Sequence, residues 1–205
     1  MKHIRLSIVF VLLTALVIFV APNVWAQPVD APIGSTLEQR VNQRKAEQKT
    51  NLTPKEVTKY QSTCVKSQAA VRDLQTVLGP NISKRVDVYN KVDAKLLIIA
   101  GQLRLAGKDT KNLEAARTEY ANKVISVTNA MNQYRVTLDD LVTIDCKADI
   151  NGFIALVTTA RQYHQSIRQQ ANDIKAYVEG TIKKSLDSHV KELQPKSNAE
   201  EKSES

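Results

Sequence analysis

The chain has 205 residues, of which 5% are aromatic and only six are glycine and six proline. Its formal net charge is +8. This composition is typical of long helices and disfavours a turn-rich β fold. The basic residues are spread evenly and no aromatic stacking platform accompanies them, which argues against nucleic-acid binding. The charge would suit anionic neighbours such as lipid head groups or acidic wall polymers, although a solvated helical surface explains it more simply.

The first 26 residues are typical of a secretory signal peptide. Two basic residues precede an apolar run from Leu6 to Ala21, and the helix-breaking Pro22 follows. The run of about 16 residues is shorter than the roughly 20 that span a membrane comfortably. The sequence therefore predicts cleavage between Ala26 and Gln27 and an extracytoplasmic protein, secreted or in the cell envelope. The alternative is a protein anchored in the membrane by an uncleaved N-terminal helix.

A linker and a short helix are expected to precede the main fold. Residues 27–34 contain two prolines and a glycine and show no periodicity, which is typical of a linker. Residues 35–52 predict a short polar helix, roughly 36–50, in which Ser35 and Glu38 form a capping box.

The first long helix should begin at Thr53 and Pro54, a favoured N-cap residue followed by the favoured first helical residue. Residues in two rows then recur every seven positions, the pattern that buries one helix face against another. The rows are Val57, Cys64, Val71, Leu78, Arg85, Val92, Ile99 and Ile82, Tyr89, Leu96, Leu103. Pro80 should kink the helix or break it briefly, and Gly107 should supply its C-cap.

The second long helix, about 111–144, is expected to be capped by Asp109 or Thr110. It has the most regular apolar seam: Leu113, Tyr120, Val127, Tyr134 and Leu141, with Val124, Met131 and Leu138 between them. A third helix, about 152–193, follows the connection at 145–152. Its expected core residues are Phe153, Leu156, Ala160, Tyr163, Ile167, Ile174, Tyr177, Val178, Ile182, Leu186 and Val190.

Short connections make neighbouring helices antiparallel. We therefore predict an all-α fold for residues 53–193, an elongated antiparallel three-helix bundle or coiled coil, with the short helix at one end. The tail at 194–205 lacks apolar residues able to form a core and should be disordered.

The two cysteines, Cys64 and Cys146, are expected to form one disulfide, because an even count in an exported chain favours pairing. If the first two long helices fold back at Gly107, both cysteines reach the same end of the hairpin. Two cysteines without clustered histidines do not suggest zinc.

The strongest candidate for a chemical site is a group of carboxylates at the second connection: Asp139, Asp140, Asp145 and Asp149. Part of this segment imitates a calcium-binding loop, but Lys147 and Thr158 occupy the first and last ligand positions. Helix capping by Asp149 or Asn151 is the favoured interpretation. His164 and His189 suggest no nucleophilic triad. The sequence predicts no catalytic residue, no metal site, no cofactor and no enzymatic activity.

Four segments of the chain share features with a known group of proteins. They are Leu37…Arg40…Gln43-Arg44-Lys45, Cys64-x3-Gln68, Ala106-Gly107-x-Asp109-Thr110-x2-Leu113 and Leu138-Asp139-Asp140-Leu141-x3-Asp145-Cys146-x2-Asp149-x2-Gly152-Phe153. Together they resemble uncharacterised exported helical (coiled-coil) proteins of candidate-phyla (Saccharibacteria-like) bacteria. Ile150 departs from that group, where proline is expected. The resemblance implies a helical envelope or secreted protein and supplies no catalytic residues.

These features favour a non-enzymatic cell-envelope protein, a helical spacer or interaction module that acts through surface contacts. The alternative is a periplasmic-type holding chaperone for unfolded exported clients. The expected partner is a protein or an anionic envelope component and not a nucleic acid. Membrane contact is expected only through the signal segment, if that segment stays uncleaved. A homo-oligomer remains open.

Overall fold

A computed structural model describes residues 34–49 and 51–193. Within these ranges the chain forms helices joined by turns and no β-strand, which confirms the all-α prediction. The helices are α1 (Leu37–Gln48), α2 (Pro54–Leu105), α3 (Lys111–Thr143), α4 (Ile150–Tyr177) and α5 (Lys183–Leu193), with a π-helical segment (Val178–Ile182) between the last two. The predicted signal peptide, its cleavage site at Ala26 and Gln27, and the tail at 194–205 lie outside the described residues.

Capping boxes begin the first two helices. In α1 the Thr36 hydroxyl accepts a hydrogen bond from the Gln39 N–H, and the Gln39 side chain accepts one from the Thr36 N–H. The box predicted at Ser35 and Glu38 is therefore wrong by one residue. The local pattern fitted both pairs, because Gln39 can close the box as well as a glutamate can. The predicted start of α2 at Thr53 is confirmed by its side-chain hydrogen bonds with Glu56.

Helix α2 continues without interruption through Pro80, so the brief break allowed by the sequence is wrong. Pro80 is exposed, while its row neighbours Leu78 and Ile82 still pack against the core. Because both residues still face the core, the seven-residue pattern of core-facing positions continues across Pro80. Arg85, a member of the same row, is exposed instead of buried.

The turn between α2 and α3 is built around Gly107, which has a φ of +71° and so adopts the left-handed conformation that glycine favours. The Lys108 N–H donates to the Leu103 carbonyl, and the Gly107 N–H donates to the Arg104 carbonyl, each at 3.0 Å. This pair of bonds is the Schellman motif that ends many helices. At the start of α3, the Asp109 carboxylate accepts the Lys111 N–H at 3.0 Å.

Contacts between α2 and α3 pair residues in opposite chain order. The pairs are Gln75 with Asp139, Tyr89 with Tyr120, Asp93 with Arg117 and Arg104 with Glu114. Helix α4 returns along α3 in the same way, with His164 near Tyr134 and the Tyr177 hydroxyl 3.2 Å from the Ala116 carbonyl. The first two long helices therefore form an antiparallel hairpin, and α4 packs along α3 in the reverse direction.

The core divides into two clusters along the helices. The turn-end cluster lies toward Gly107 and is built from Leu96, Ala100, Leu103, Leu113, Ala116, Tyr120, Val124, Val127, Ala130, Met131, Ile167, Ile174 and Ile182. The disulfide-end cluster contains Val41, Cys64, Leu138, Leu141, Ile144, Cys146, Ile150, Phe153, Leu156 and Ala160. Tyr134 packs against both clusters. The α3 seam predicted from sequence is buried except for Tyr134, which is half-buried.

The π-helical segment corrects the phase of the last helix. Core residues Ile167 and Ile174 are seven positions apart, but the next one, Ile182, follows only after eight. A π-helical turn absorbs one extra residue, so the later positions keep facing the core. Seven residues beyond Ile182 lies His189, which is buried. Val190, predicted as a core residue, is consequently exposed.

Among residues 34–49 and 51–193, no helix combines the length and the apolar character that crossing a bilayer requires.

Candidate functional site

The carboxylates singled out from the sequence lie where α3 ends and α4 begins. The same region receives the start of α2 and the whole of α1, so elements distant in sequence meet there. The disulfide joins it as well. We call this region, at the end of the hairpin opposite Gly107, the clasp.

The clasp is closed covalently by Cys64 and Cys146. The structure brings the two residues to disulfide distance, with their Cα atoms 6.0 Å apart, inside the range that an unstrained backbone allows. Both residues are buried. The sequence-predicted pair is therefore brought together, on a hairpin whose register the bond fixes.

Gln68 lies in α2, one turn after Cys64, and its side chain caps the C-terminus of α3. Its buried side-chain amide donates to the carbonyls of Leu141 and Ile144, each at 2.8 Å. The last carbonyls of a helix have no partner within the helix, so a side chain that binds two of them stabilises the terminus. The side chain of Gln61 likewise donates to the Lys147 carbonyl at 3.1 Å.

The four aspartates do not converge on one point. Asp139 accepts from Gln75 at 2.6 Å, and Asp145 accepts the backbone N–H groups of Lys147 and Ala148 within its own turn. In the described part of the chain, no group of His, Cys, Asp or Glu side chains is arranged to hold a metal ion.

Asp149 is the N-cap of α4, as predicted. Its carboxylate accepts the Gly152 N–H at 2.9 Å and lies 3.2 Å from the Lys45 ammonium. Asn151, the alternative capping residue, lies inside the helix. A carboxylate at this position suits the partial positive charge of a helix N-terminus.

Asp140 binds Arg40 of α1 through a bidentate ion pair. The Arg40 Nε and Nη2 atoms lie 2.8 and 2.6 Å from the two carboxylate oxygens, and the Asp140 side chain is only 5% exposed. The hydrogen bond to Asp140, reinforced by its charge, raises the pKa of Arg40. A fork of two parallel hydrogen bonds adds geometric specificity to the charge interaction.

Arg44, one turn further along α1, is also buried. Its guanidinium donates to the Tyr163 hydroxyl at 3.2 Å and lies 5.7 Å from the centre of that ring, within cation–π range. Glu47 pairs with the same guanidinium at 3.0 Å. Cationic side chains thus contribute to the attachment of the short helix to α4.

Val41 is the buried apolar residue that α1 packs into the clasp, and it requires a glycine opposite. A Cβ at Gly152 would lie 2.7 Å from a Val41 methyl and 2.5 Å from the Asp149 carboxylate. Only a residue without a side chain allows this approach. Gly152 therefore serves both the cap of α4 and the docking of α1.

The two histidines do not take part in the clasp interactions described above. His164 contacts the Tyr134 ring, with the centroids 6.0 Å apart, and burial followed by the nearby charge of Arg168 lowers its pKa. His189 lies on α5 and is buried.

Sequence reasoning missed the contribution of Arg40 and Gln68. Both stand at positions quoted for the resemblance, but their partners lie 100 and 73 to 76 residues away. A buried polar residue one turn from a cysteine was the available signal for Gln68. For Arg40 the signal was a cation one turn before another on the face that carries Leu37 and Val41.

No protein-family model, no curated protein and no solved structure matches this chain.

Proposed function

We propose that this chain is a non-enzymatic exported cell-envelope protein, a helical spacer or interaction module that works through contacts on the outer faces of its helices. One observation carries the proposal. The carboxylates that most resemble a chemical site each engage a helix cap, a turn, or a hydrogen bond or ion pair that joins two helices. Because these polar groups bind other parts of the same chain, they stabilise the fold. This supports a scaffold whose contacts with a partner are made by other, exposed surfaces.

The proposed shape is an elongated antiparallel three-helix bundle or coiled coil, with α1 packed at the clasp. The 52 residues of α2 correspond to a length of about 78 Å. The antiparallel contacts of α2 with α3, and of α4 with α3, support this arrangement. Small-angle scattering should give an elongated particle, and a compact spherical profile would contradict the shape.

Export is the second part of the proposal. N-terminal sequencing of the protein from its native envelope should find a start at Gln27. A start at Met1 would replace the cleaved form with the membrane-anchored alternative and leave the helical module facing outward.

The proposal is tested by photo-crosslinking in living cells. A photoreactive residue placed at exposed positions such as Val65 or Val88 should capture a discrete envelope component, a protein or an anionic polymer or lipid. The same residue at buried Val127 is the control and should capture nothing outside the chain. Absence of adducts at every exposed position would contradict a contact function.

The second candidate is the periplasmic-type holding chaperone. Large apolar side chains exposed on α2 favour it, since they could bind apolar segments of unfolded proteins. They are Val65, Val77, Val88, Leu97, Ile98 and Leu105. A chaperone should suppress the aggregation of an unfolded exported protein at stoichiometric amounts, whereas a spacer should leave the aggregation rate unchanged.

A further inference from the structure

The last three turns of α2 are apolar on two opposite sides. Leu96, Ala100 and Leu103 face the turn-end cluster and are buried. On the other side Leu97, Ile98 and Leu105 are 53%, 58% and 92% exposed. Contiguous apolar side chains that stay exposed commonly mark a surface that binds a partner or a membrane. Packing against α3 and α4 accounts for one side only.

The exposed side forms a continuous stripe. Ala94, Ile98, Gly101 and Leu105 follow one another at spacings of four, three and four residues, which places them along one line of the helix, and Leu97 lies beside it. We call these five residues the outer stripe. Exposed apolar residues elsewhere, such as Ile125 or Val190, stand singly, and single ones require no explanation.

The surroundings of the outer stripe are basic. Lys91 and Lys95 are exposed along one edge, and Lys108 and Lys111 follow at the hairpin turn. Of the nearby acids, Glu114 is paired with Arg104, and the Asp109 carboxylate binds the backbone N–H of Lys111. Asp87, one turn before Lys91, is exposed. An apolar strip edged by lysines is the surface that binds membranes containing anionic lipids, with the apolar residues entering the boundary of the head groups.

We infer that the outer stripe docks on an anionic lipid surface, with Ile98 and Leu105 at the boundary between head groups and acyl chains and the lysines on the lipid phosphates. The inference rests on the proposed function only in that the chain acts through its outer faces. It adds a membrane contact made by described residues at the Gly107 end of the hairpin, whereas the sequence suggested lipid head groups only from the overall charge.

A second copy of the chain fits this surface less well. Pairing two stripes would bring Lys91 and Lys95 of both copies into one contact, and like charges there repel. Three helical turns also offer little area beside the 1,200–2,000 Å² that stable interfaces bury. The charge therefore favours lipid over self-association.

Co-sedimentation of the proposed mature chain, which begins at Gln27, with vesicles tests the inference. Binding should be stronger to phosphatidylcholine vesicles containing phosphatidylglycerol than to phosphatidylcholine alone, and should weaken with salt. Leu105→Asp should lower the partition coefficient at least about tenfold, and Lys91→Gln or Lys95→Gln about fivefold each. Ile125→Asp introduces the same charge at an exposed apolar position outside the stripe and should leave binding unchanged. A chain that begins at Gln27 lacks the N-terminal apolar segment, so that segment contributes nothing to the measured binding.

Gly101 separates a lipid surface from a protein partner. A Cβ at Gly101 would meet no atom within 4 Å, so a side chain can begin there without a clash. Gly101→Leu adds apolar surface and should strengthen vesicle binding. If the partner were instead a protein helix packed closely over the glycine, the larger side chain would weaken that contact.

Three results would overturn the inference. They are equal binding to neutral and anionic vesicles, equal losses for Leu105→Asp and Ile125→Asp, and a dimer in light scattering that Leu105→Asp dissociates. Failure of vesicle binding together with protein adducts in the crosslinking experiment would reject the lipid partner and leave the proposed function standing.

Discussion

The two ends of the α2–α3 hairpin are held together by different chemistry. At the Gly107 end, two helices consecutive in sequence meet through a short turn, a Schellman motif and apolar packing. At the clasp, segments from four parts of the chain meet, and a disulfide, a buried ion pair and side-chain caps join them. The difference follows the sequence distance that each end must close.

Closing a turn of a few residues costs little conformational entropy, whereas bringing together residues 82 apart costs more. At the turn, tyrosines complete the apolar packing. The Tyr120 hydroxyl donates to the Tyr89 carbonyl at 3.1 Å, and burial, with Tyr89 and Asp93 nearby, raises the pKa of Tyr120 to about 12. This hydroxyl therefore stays a donor across the physiological pH range. At the clasp no turn joins α2 to α3, and directional bonds between residues distant in sequence hold the two helices together.

The largest effect should come from removing the disulfide. Replacing Cys64 and Cys146 by serine should lower the free energy of unfolding by about 4–5 kcal/mol, because the bond constrains an 82-residue interval in the unfolded chain. Urea unfolding measures the change. Hydrogen exchange should quicken in the first turns of α2 and the last turns of α3 before it does so near Gly107. Uniform exchange along both helices would show that the clasp is no weaker than the turn.

The ion pair at the clasp should come next. Arg40→Gln leaves the buried Asp140 carboxylate without its bidentate partner and should cost about 3 kcal/mol in urea unfolding. Lys45→Gln is the matched control on the same helix. Its partner Asp149 and Lys45 itself are about one-third exposed, at 35% and 37%, so that loss should stay below about 1 kcal/mol. Equal losses for the two variants would contradict the distinction between a buried and an exposed pair.

The turn end offers a smaller test with two opposite signs. Gly107→Ala forces a side chain into a left-handed conformation and should destabilise the chain by about 1 kcal/mol. Gly101→Ala, inside α2 with open space around the new methyl group, should stabilise it by a similar amount through helix propensity. Thermal melting of both variants measures the difference. A loss at both positions would mean that the space beside Gly101 is occupied.

Local and periodic features of the fold could be predicted from sequence. The heptad spacing of α3 indicates which residues are buried, and Thr53 and Gly107 indicate where helices begin and end, because each signal acts within a few residues. The cysteine pair followed from an even count and the position of the turn. These predictions needed no knowledge of which distant segments meet.

Features that depend on tertiary meeting points could not be predicted in this way. Arg40 and Asp140 are 100 residues apart, and neither position shows locally that the other will be its partner. The spacing of eight residues between Ile174 and Ile182 was a sequence signal for the π-helical segment. A search for apolar residues at regular spacings of three, four or seven does not detect it. Val190, which continues the spacing of four from Ile182 and Leu186, was predicted to be buried and is exposed. The outer stripe was missed because a seam analysis assigns one buried face to each helix.

The smallest effect lies at the middle of the bundle, where the two core clusters meet at Tyr134, and it concerns His164. Burial, and then the charge of Arg168, lower the pKa of His164 below its ordinary value of 6.5. The unfolded chain therefore binds a proton more readily than the folded chain does. The contribution of His164 to stability is complete above pH 6.5 and is lost as the pH falls through and below that value. Carboxylates whose pKa is lowered, Glu56 and Glu114, respond only below their ordinary 4.5, a separate window. Urea unfolding at pH 7.5 and 5.5 should show a small loss at the lower pH, and His164→Gln should reduce that loss. If the His164→Gln variant kept the full loss of stability between pH 7.5 and 5.5, another group would bind the proton. The burial of His164 beside Tyr134 would then not be the cause of the pH dependence.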